Sequence, residues 1–308
     1  MIRPRRSLLF MPGSNARALE KARNLPADGL ILDLEDSVAP EAKGLARDQI
    51  AKAIGAGGFG KREILIRTNA LDSPWWMDDI AMAGKARADG VLVPKISSLE
   101  DLATIARCLL DVGADPSLKV WTMIETARAV LHAEELAAAS RNVEPRLSGF
   151  VFGPNDISRE TRIRMQPGRA TMLSMITHCI LATRAYGLEI LDGPYSDFSN
   201  VDGFAQECTQ ARDLGFDGKT LIHPGQIAAC NAIFTPPAEE VAHARKIIAA
   251  FERPENASRG AISLDGQMVE RLHADIARRT IAIADSIAAL AQHYLHRRRP
   301  LRAGISTS

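Results

Sequence analysis

The sequence has little of what would mark a secreted, membrane-bound or nucleic-acid-binding chain. Its four cysteines, Cys108, Cys179, Cys208 and Cys230, are scattered, with no CxxC pair among them. Three of them lie in helical patterns, so they read as buried thiols of a reducing compartment rather than as a disulfide or zinc framework. An excess of one charge is missing too. Lys and Arg number 38 against 37 Asp and Glu, a formal net charge of +1, and no general pull toward nucleic acid or membrane follows from it. No apolar run approaches the roughly 18 residues of a membrane span, and no signal-peptide core follows Met1. Arg3, Arg5 and Arg6 run straight into a strand, which leaves no room for a transit peptide. The expectation is a soluble cytoplasmic protein. Hydrophobic residues are plentiful, at 46% of 308 residues, enough for the core of one α/β barrel with an extension.

The stretch Lys119-Val-Trp-Thr-Met-Ile-Glu-Thr126 organises the rest. It reads as a buried strand that stops at an acid, Glu125, where Ala127-Arg-Ala-Val-Leu131 begins a helical pattern. One strand–helix unit later, Gly149-Phe-Val-Phe-Gly153 is followed by Pro154-Asn-Asp156. Carboxylates at the ends of successive strands suit a hard metal ion, provided the strands are parallel and adjacent. Alone, each acid also reads as a helix N-cap, Asp156 above all.

The other segments follow the same plan. Ser7-Leu-Leu-Phe-Met11 is an apolar strand closed by Pro12-Gly13, with Ser14 as the expected N-cap of a helix through Ala16, Leu19, Ala22 and Leu25. Further strands are expected at Gly29 to Asp36, Glu63 to Asn69, Gly90 to Lys95, Gly187 to Gly193 and Gly218 to Pro224, with helical patterns between them. Eight strands alternating with helices predict an α/β fold, a (β/α)8 TIM barrel over residues 1–235. The chemistry of such a barrel sits at the strand exits. Asp33, Glu35, Asp36, Arg67, Asn69, Lys95, Glu125, Asp156, Asp192 and His223 all fall near that rim, and nothing comparable is expected at the strand starts. That asymmetry points to an enzyme.

Residues 236–308 are expected to form a C-terminal helical extension, with one helix from about Ala238 to Phe251 and a longer one ending near Tyr294. It is too small to stand alone and reads as a lid packed on the barrel or on a neighbouring subunit. The chain ends on the basic run His296-Arg-Arg-Arg-Pro300, which reads as a frayed terminus.

Several motifs in order carry a family resemblance. They are Pro12-Gly-Ser14, Asp33-Leu-Glu-Asp36, Ile66-Arg-Thr-Asn69, Val93-Pro-Lys95, Ile124-Glu-Thr126, Gly153-Pro-Asn-Asp156 and Gly215-Phe-Asp-Gly-Lys-Thr-Leu-Ile-His-Pro224. Together they resemble the HpcH/HpaI aldolase–citrate lyase β-subunit superfamily, and within it the CoA-ester lyases and malyl-CoA thioesterases. The resemblance implies Mg²⁺ held by Glu125 and Asp156 and a substrate that is a 3-hydroxyacyl-CoA with a second carboxylate. The main expectation is a lyase giving acetyl-CoA and a 2-oxo acid; the alternatives are an (S)-malyl-CoA thioesterase and a citrate lyase β-type subunit of a complex. Arg67 would face the developing enolate, with Glu35 and Asp36 beside it, and CoA would lie along Phe10, Lys21, Ile222, His223 and Pro224. The family's basic residue after Pro-Gly-Ser is replaced here by Asn15, so Arg17 and Lys21 are left for the phosphates. Many of its lyases end in Gly-x-Met-hydrophobic-Asp, a segment that supplies an acid–base group to a neighbouring subunit. This chain has Gly266-Gln-Met-Val-Glu270, with Glu in place of Asp, closer to the thioesterase branch. A lid that crosses subunits implies a homo-oligomer, in this family a trimer or a multiple of three. A competing reading makes Lys95 the Schiff-base nucleophile of a metal-free aldolase.

Overall fold

The computed structural model of the chain describes residues 2–256 and 258–297, the side chains of 293–297 excepted. The basic run at the C-terminus therefore lies outside the described side chains. Eight short strands, β1 (Ser7–Pro12), β2 (Gly29–Asp33), β3 (Glu63–Arg67), β4 (Gly90–Val93), β5 (Lys119–Ile124), β6 (Leu147–Phe152), β7 (Glu189–Asp192) and β8 (Gly218–Leu221), close into a parallel barrel in sequence order. β1 pairs with both β2 and β8 and closes the ring. The expected TIM-barrel fold is the one that forms.

Strand alternation splits the apolar residues into two shells. Leu8, Ile31, Leu65, Leu92, Trp121, Met123, Val151 and Leu191 fill the inside of the barrel as one cluster. The intervening residues, among them Leu9, Leu30, Leu32, Ile64, Ile66, Val91 and Val93, pack outward against the helices. Trp121 fits inside because its neighbour Gly149 has no side chain; a Cβ there would sit 2.5 Å from the indole ring.

The start of the first helix differs from expectation. Asn15, not Ser14, is the N-cap, its Oδ1 accepting from the Ala18 N–H at 3.0 Å, and the helix Ala16–Ala22 ends before Leu25. The cause lies one residue earlier. Gly13 donates its N–H to the Asp33 carbonyl at 2.9 Å, which ties the turn to β2 and leaves Ser14 inside that turn.

The strand starts are not bare either. Asp28, Asp89 and Asp217 each accept from a backbone N–H at the start of a neighbouring strand: that of Arg6 just before β1, of Ile64 in β3 and of Ile190 in β7. Arg5 bridges to Glu63 at 2.6 Å and lies 5.1 Å from the Trp121 ring. These groups form a saturated plug in which acids are matched to backbone donors or to arginine. Charged groups therefore stand at both ends of the barrel, and those at the strand starts serve to tie neighbouring strands together.

The described residues form two compact units, one over Arg5–Phe234 and a second that joins the N-terminal residues to Pro4 with those that follow Phe234. Within the second, the helices Ala238–Phe251 and Arg271–Arg297 enclose a hairpin, β9 (Ala261–Leu264) and β10 (Gln267–Glu270). Ala244, Ile247, Phe251, Ile262, Val269 and Ala274 share a small core there. The extension is therefore not purely helical. Asp265 and Gly266, with φ of 51° and 80°, form the left-handed pair that a two-residue hairpin turn requires.

Candidate active site

The cavity at the strand exits is a product of alternation. Leu8, Ile31, Leu65 and Met123 belong to the inner cluster. Two residues further along each strand, Phe10, Asp33, Arg67 and Glu125 point the same way. These four line a cavity of about 360 Å³ with Asp36, Gly153, Asn155, Asp156, Pro194 and Ile222 among others.

Arg67 is the fixed cation of this cavity. Its Nε and Nη2 donate to the two Asp33 oxygens at 2.6 and 2.8 Å, and Nη1 lies 2.9 Å from Glu35 Oε2. The guanidinium carbon is 4.7 Å from the centroid of the Phe10 ring, a cation–π contact. Burial opposes its charge, but Asp33, Glu35 and Asp36 outweigh burial and push Arg67 further above its usual range. Burial likewise works against Asp33, yet Arg67 and the Ser37 hydroxyl hold that carboxyl below the ordinary value. Both shifts favour the ionised pair. The remaining guanidinium donors lean toward Asp36 at 3.6 Å and Met123 Sδ at 4.0 Å, contacts that a substrate oxygen can replace.

Glu35 and Asp36 separate. Asp36 lies on the cavity wall with its side chain 70% exposed. Glu35 is buried behind the wall between Arg67 and Lys95, whose Nζ is 3.0 Å from Glu35 Oε1. Burial first, and then Asp36, raise the Glu35 carboxyl against the pull of its two cations. Lys95 is raised as well: burial lowers it, but Glu35 outweighs burial. A lysine kept as ammonium has no lone pair for a carbonyl, so the Schiff-base reading finds no support here.

Glu125 is 2% exposed. Burial, then Glu35 and Asp156, push its carboxyl up to about 8. Its Oε1 accepts from the Lys95 backbone N–H at 2.8 Å. Gly153 lets the β6 exit pass close by; a Cβ there would run into the Glu125 Cβ and come within 2.9 Å of Oε2. Asp156 does not stand at a strand end. β6 stops at Phe152, Pro154 opens the helix Pro154–Thr161, and Asp156 is in its first turn, where the helix dipole favours an acid. Its other neighbour is the exposed Arg159, at 2.6 Å. Asp156 is not the N-cap, which is Gly153.

The donor set fits magnesium. Glu125 and Asp156 offer only hard oxygens, and both line the same cavity; burial first, and then the two neighbouring acids, oppose the Glu125 charge, which a bound cation would offset. Among the described residues no three His, Cys, Asp or Glu converge as a closed ligand cage. Two carboxylates with room for water and substrate oxygens is the arrangement Mg²⁺ takes with phosphates and carboxylates.

The residues expected along CoA fall in two groups. Phe10 and Ile222 line the cavity, and Ile222 is 41% exposed. His223 and Pro224 lie just past β8 on the open rim. The His223 ring accepts from the Gly225 N–H at 3.1 Å through Nδ1 and stacks on Phe198 at 5.0 Å. Arg17 and Lys21 are exposed on the helix Ala16–Ala22 and are not on the cavity wall. Glu270 belongs to the other unit, at the end of β10, where its N–H donates to His273 Nδ1 at 3.0 Å.

Sequence alone gives no sign of Lys43 or Asp79 as supports, nor of the partners that hold Asp192. Lys43 donates its Nζ to the Leu34 and Glu35 carbonyls at 2.7 and 2.8 Å and so shapes the acidic loop after β2. Asp79 accepts from the Asn69 N–H and Nδ2 at 2.8 and 2.7 Å and holds the exit of β3. Asp192, fully buried, pairs with Lys219 and Arg169, both at 2.7 Å. That cluster anchors the Gly193–Pro194 corner of the cavity, since Lys219 also donates to the Gly193 carbonyl.

The sequence model of the HpcH/HpaI aldolase/citrate lyase family matches residues 6–224. A (3S)-malyl-CoA thioesterase of Cereibacter sphaeroides is 43% identical over 286 residues, 93% of this chain and 96% of that protein. The citrate lyase subunit beta of Escherichia coli is 35% identical over 288 residues, 92% and 94% of the two chains. Among solved structures, the CitE protein of Mycobacterium tuberculosis in complex with magnesium, acetoacetate and coenzyme A superimposes with a TM-score of 0.71 at 27% identity. The match covers 91% of this chain and 97% of that one.

Proposed function

Because the chain belongs to the HpcH/HpaI aldolase/citrate lyase family, we propose that it acts with Mg²⁺ on a malyl-CoA-type thioester and releases CoA by hydrolysis. The observation that carries the reading is the presence in one cavity of two carboxylates, Glu125 and Asp156, and a rigid arginine, Arg67. Hydrolysis, rather than the carbon–carbon cleavage expected first, is favoured because a relative 43% identical over nearly its full length is named a malyl-CoA thioesterase.

When bound at Glu125 and Asp156, Mg²⁺ would neutralise these acids and polarise the hydroxyl and carboxylate oxygens of the substrate. The chain's own residues do the rest. Phe10 and Ile222 give an apolar wall for the pantetheine arm. Arg67 is pre-oriented by Asp33 and Glu35, so charge developing on the thioester oxygen meets a cation that needs no reorganisation. Water adds at the thioester carbon, the C–S bond breaks, and the proton of the water ends on the departing thiolate. Glu270, from the tail of a second copy of this chain, is the acid–base group assigned to that proton.

One observation favours carbon–carbon cleavage as a second reading. The same fixed Arg67 suits an acetyl-CoA enolate as well as a thioester oxyanion, and the more distant E. coli relative is a citrate lyase subunit. One assay separates the two. Purified protein with Mg²⁺ and (S)-malyl-CoA is followed for free thiol and for 2-oxo acid in parallel, with EDTA and Asp156→Ala as controls. Thiol without oxo acid is the expected result. Oxo acid without thiol establishes the lyase instead, and neither product from folded, Mg²⁺-binding protein sinks the substrate class. Arg67→Ala is expected to lower turnover by roughly a hundredfold or more.

A further inference from the structure

Lys95 has a backbone that a lysine rarely adopts. Its φ is +56°, in the left-handed region that glycine enters freely and other residues enter only when their surroundings hold them there. What holds it is visible. The Lys95 N–H donates to Glu125 Oε1 at 2.8 Å, and the ammonium reaches Glu35 Oε1 at 3.0 Å. The next turn is stitched to the same place, because Ser97 Oγ lies 3.2 Å from the Lys95 carbonyl and 2.8 Å from Thr126 Oγ1, beside Glu125. Glu35 in turn bonds Arg67 at 2.9 Å. One residue therefore touches both halves of the cavity.

We propose that Lys95 is a positioning residue that sets Glu125 for its cation and registers it with Arg67, the main chain serving the first and the ammonium the second. The proposal rests on the reading of Glu125 as a metal ligand. With Oε1 occupied by the Lys95 N–H, Oε2 is the oxygen presented, and it lies on the Gly153 side of the carboxylate, toward the helix that carries Asp156. The left-handed turn aims the N–H at Glu125 while sending the side chain across to Glu35. A relaxed turn would swing the N–H away and leave the Glu125 carboxylate free to rotate.

The logic makes a counter-intuitive ordering the test. In Lys95→Ala the ammonium that holds the turn is gone, and alanine has no freedom of its own at positive φ, so the turn relaxes. In Lys95→Gly the ammonium is also gone, but glycine keeps positive φ without strain and the N–H stays on Glu125. Mg²⁺ affinity by titration calorimetry is expected to stay within about threefold of the parent in Lys95→Gly and to fall about tenfold in Lys95→Ala. Lys95→Arg, which retains the cation, stays near the parent. A residue acting through charge alone would make alanine and glycine equally weak, and that result overturns the proposal, as does parent-like binding in Lys95→Ala. If the folded parent binds no Mg²⁺, the metal reading fails separately. Metal-free melting temperatures then decide the turn: Lys95→Gly at or above Lys95→Ala upholds it, and the reverse order removes it.

Discussion

At Glu125 the strand puts a carboxyl where burial, Glu35 and Asp156 all oppose its charge, and its value rises from 4.5 to about 8. The sign of the consequence follows from linkage. A group whose folded value is raised contributes stability that is fully present below about 4.5 and is lost as pH climbs through about 8. The metal-free protein should therefore lose this contribution between those limits. Mg²⁺ needs the ionised form and competes with the proton, so its apparent affinity should be roughly twentyfold higher at pH 8.5 than at pH 6.5. Scanning fluorimetry with and without Mg²⁺ at the two pH values checks this, and the Mg²⁺-induced rise in melting temperature should be the larger at pH 8.5. Equal increments would mean that Glu125 does not exchange a proton for the metal. In Glu125→Gln both the increment and its pH dependence should vanish.

At the scale of elements, the exits of β5 and β6 meet at one glycine. The Gly153 N–H donates to the Ile124 carbonyl at 2.9 Å, and its missing side chain is what allows Glu125 to stand where it does. Gly153→Ala should cost about 1–3 kcal/mol in urea unfolding, the usual range for overpacking, and should weaken Mg²⁺ binding out of proportion to that loss. Gly55→Ala is the control. Gly55 lies in the helix Lys43–Ala56; apart from its chain neighbours and the local helix backbone, nothing lies within 4 Å of the added methyl, and alanine is the better helix former. If Gly153→Ala binds Mg²⁺ as the parent does, the β5–β6 exit does not shape the metal site. The same strands show how far the sequence could be read. Asp33, Arg67 and Glu125 were legible because each follows an apolar run by a fixed two-residue step, and that period survives in any barrel. Asp156 was expected at a strand end and stands inside a helix: the apolar run stops where β6 does, at Phe152, but Pro154 opens the helix at once, so Asp156 falls in its first turn. The plug of Asp28, Asp89 and Asp217 was missed because an acid before a strand shows its role only when the neighbouring strand is placed. Lys43, Asp79 and Arg169 act across the fold, and no local pattern announces such partners. The hairpin of β9 and β10 did carry a signal, Asp265-Gly266, outweighed by the helical patterns on either side of it.

For the whole molecule the open matter is what the tail serves. Glu270 ends β10, and Met268, Leu272 and Ile276 around it are 71%, 52% and 60% exposed. Large apolar residues exposed so near one another in the sequence suit a surface that another chain covers. We infer that this tail brings Glu270 to the cavity of a neighbouring copy in a homo-oligomer, as the family resemblance implies. Glu270→Ala should then lose turnover while keeping the parent's Mg²⁺ affinity, and Asp156→Ala should lose both. Neither variant alone has a working site. Co-expressed, they can build one from the intact cavity of the Glu270→Ala chain and the intact tail of the Asp156→Ala chain. Random assortment in a closed ring predicts recovery of about a quarter of the parent's activity. The co-expressed material is compared with the two proteins purified separately and then mixed, which should stay inactive if subunits do not exchange. Absence of recovery in a confirmed mixed oligomer would confine Glu270 to its own chain or remove it from the chemistry. Glu270→Asp then asks what the longer side chain is for, since shortening it draws the carboxylate back by roughly an ångström. A shift of products from free thiol toward oxo acid in that variant would place the choice between water and carbon at this one methylene.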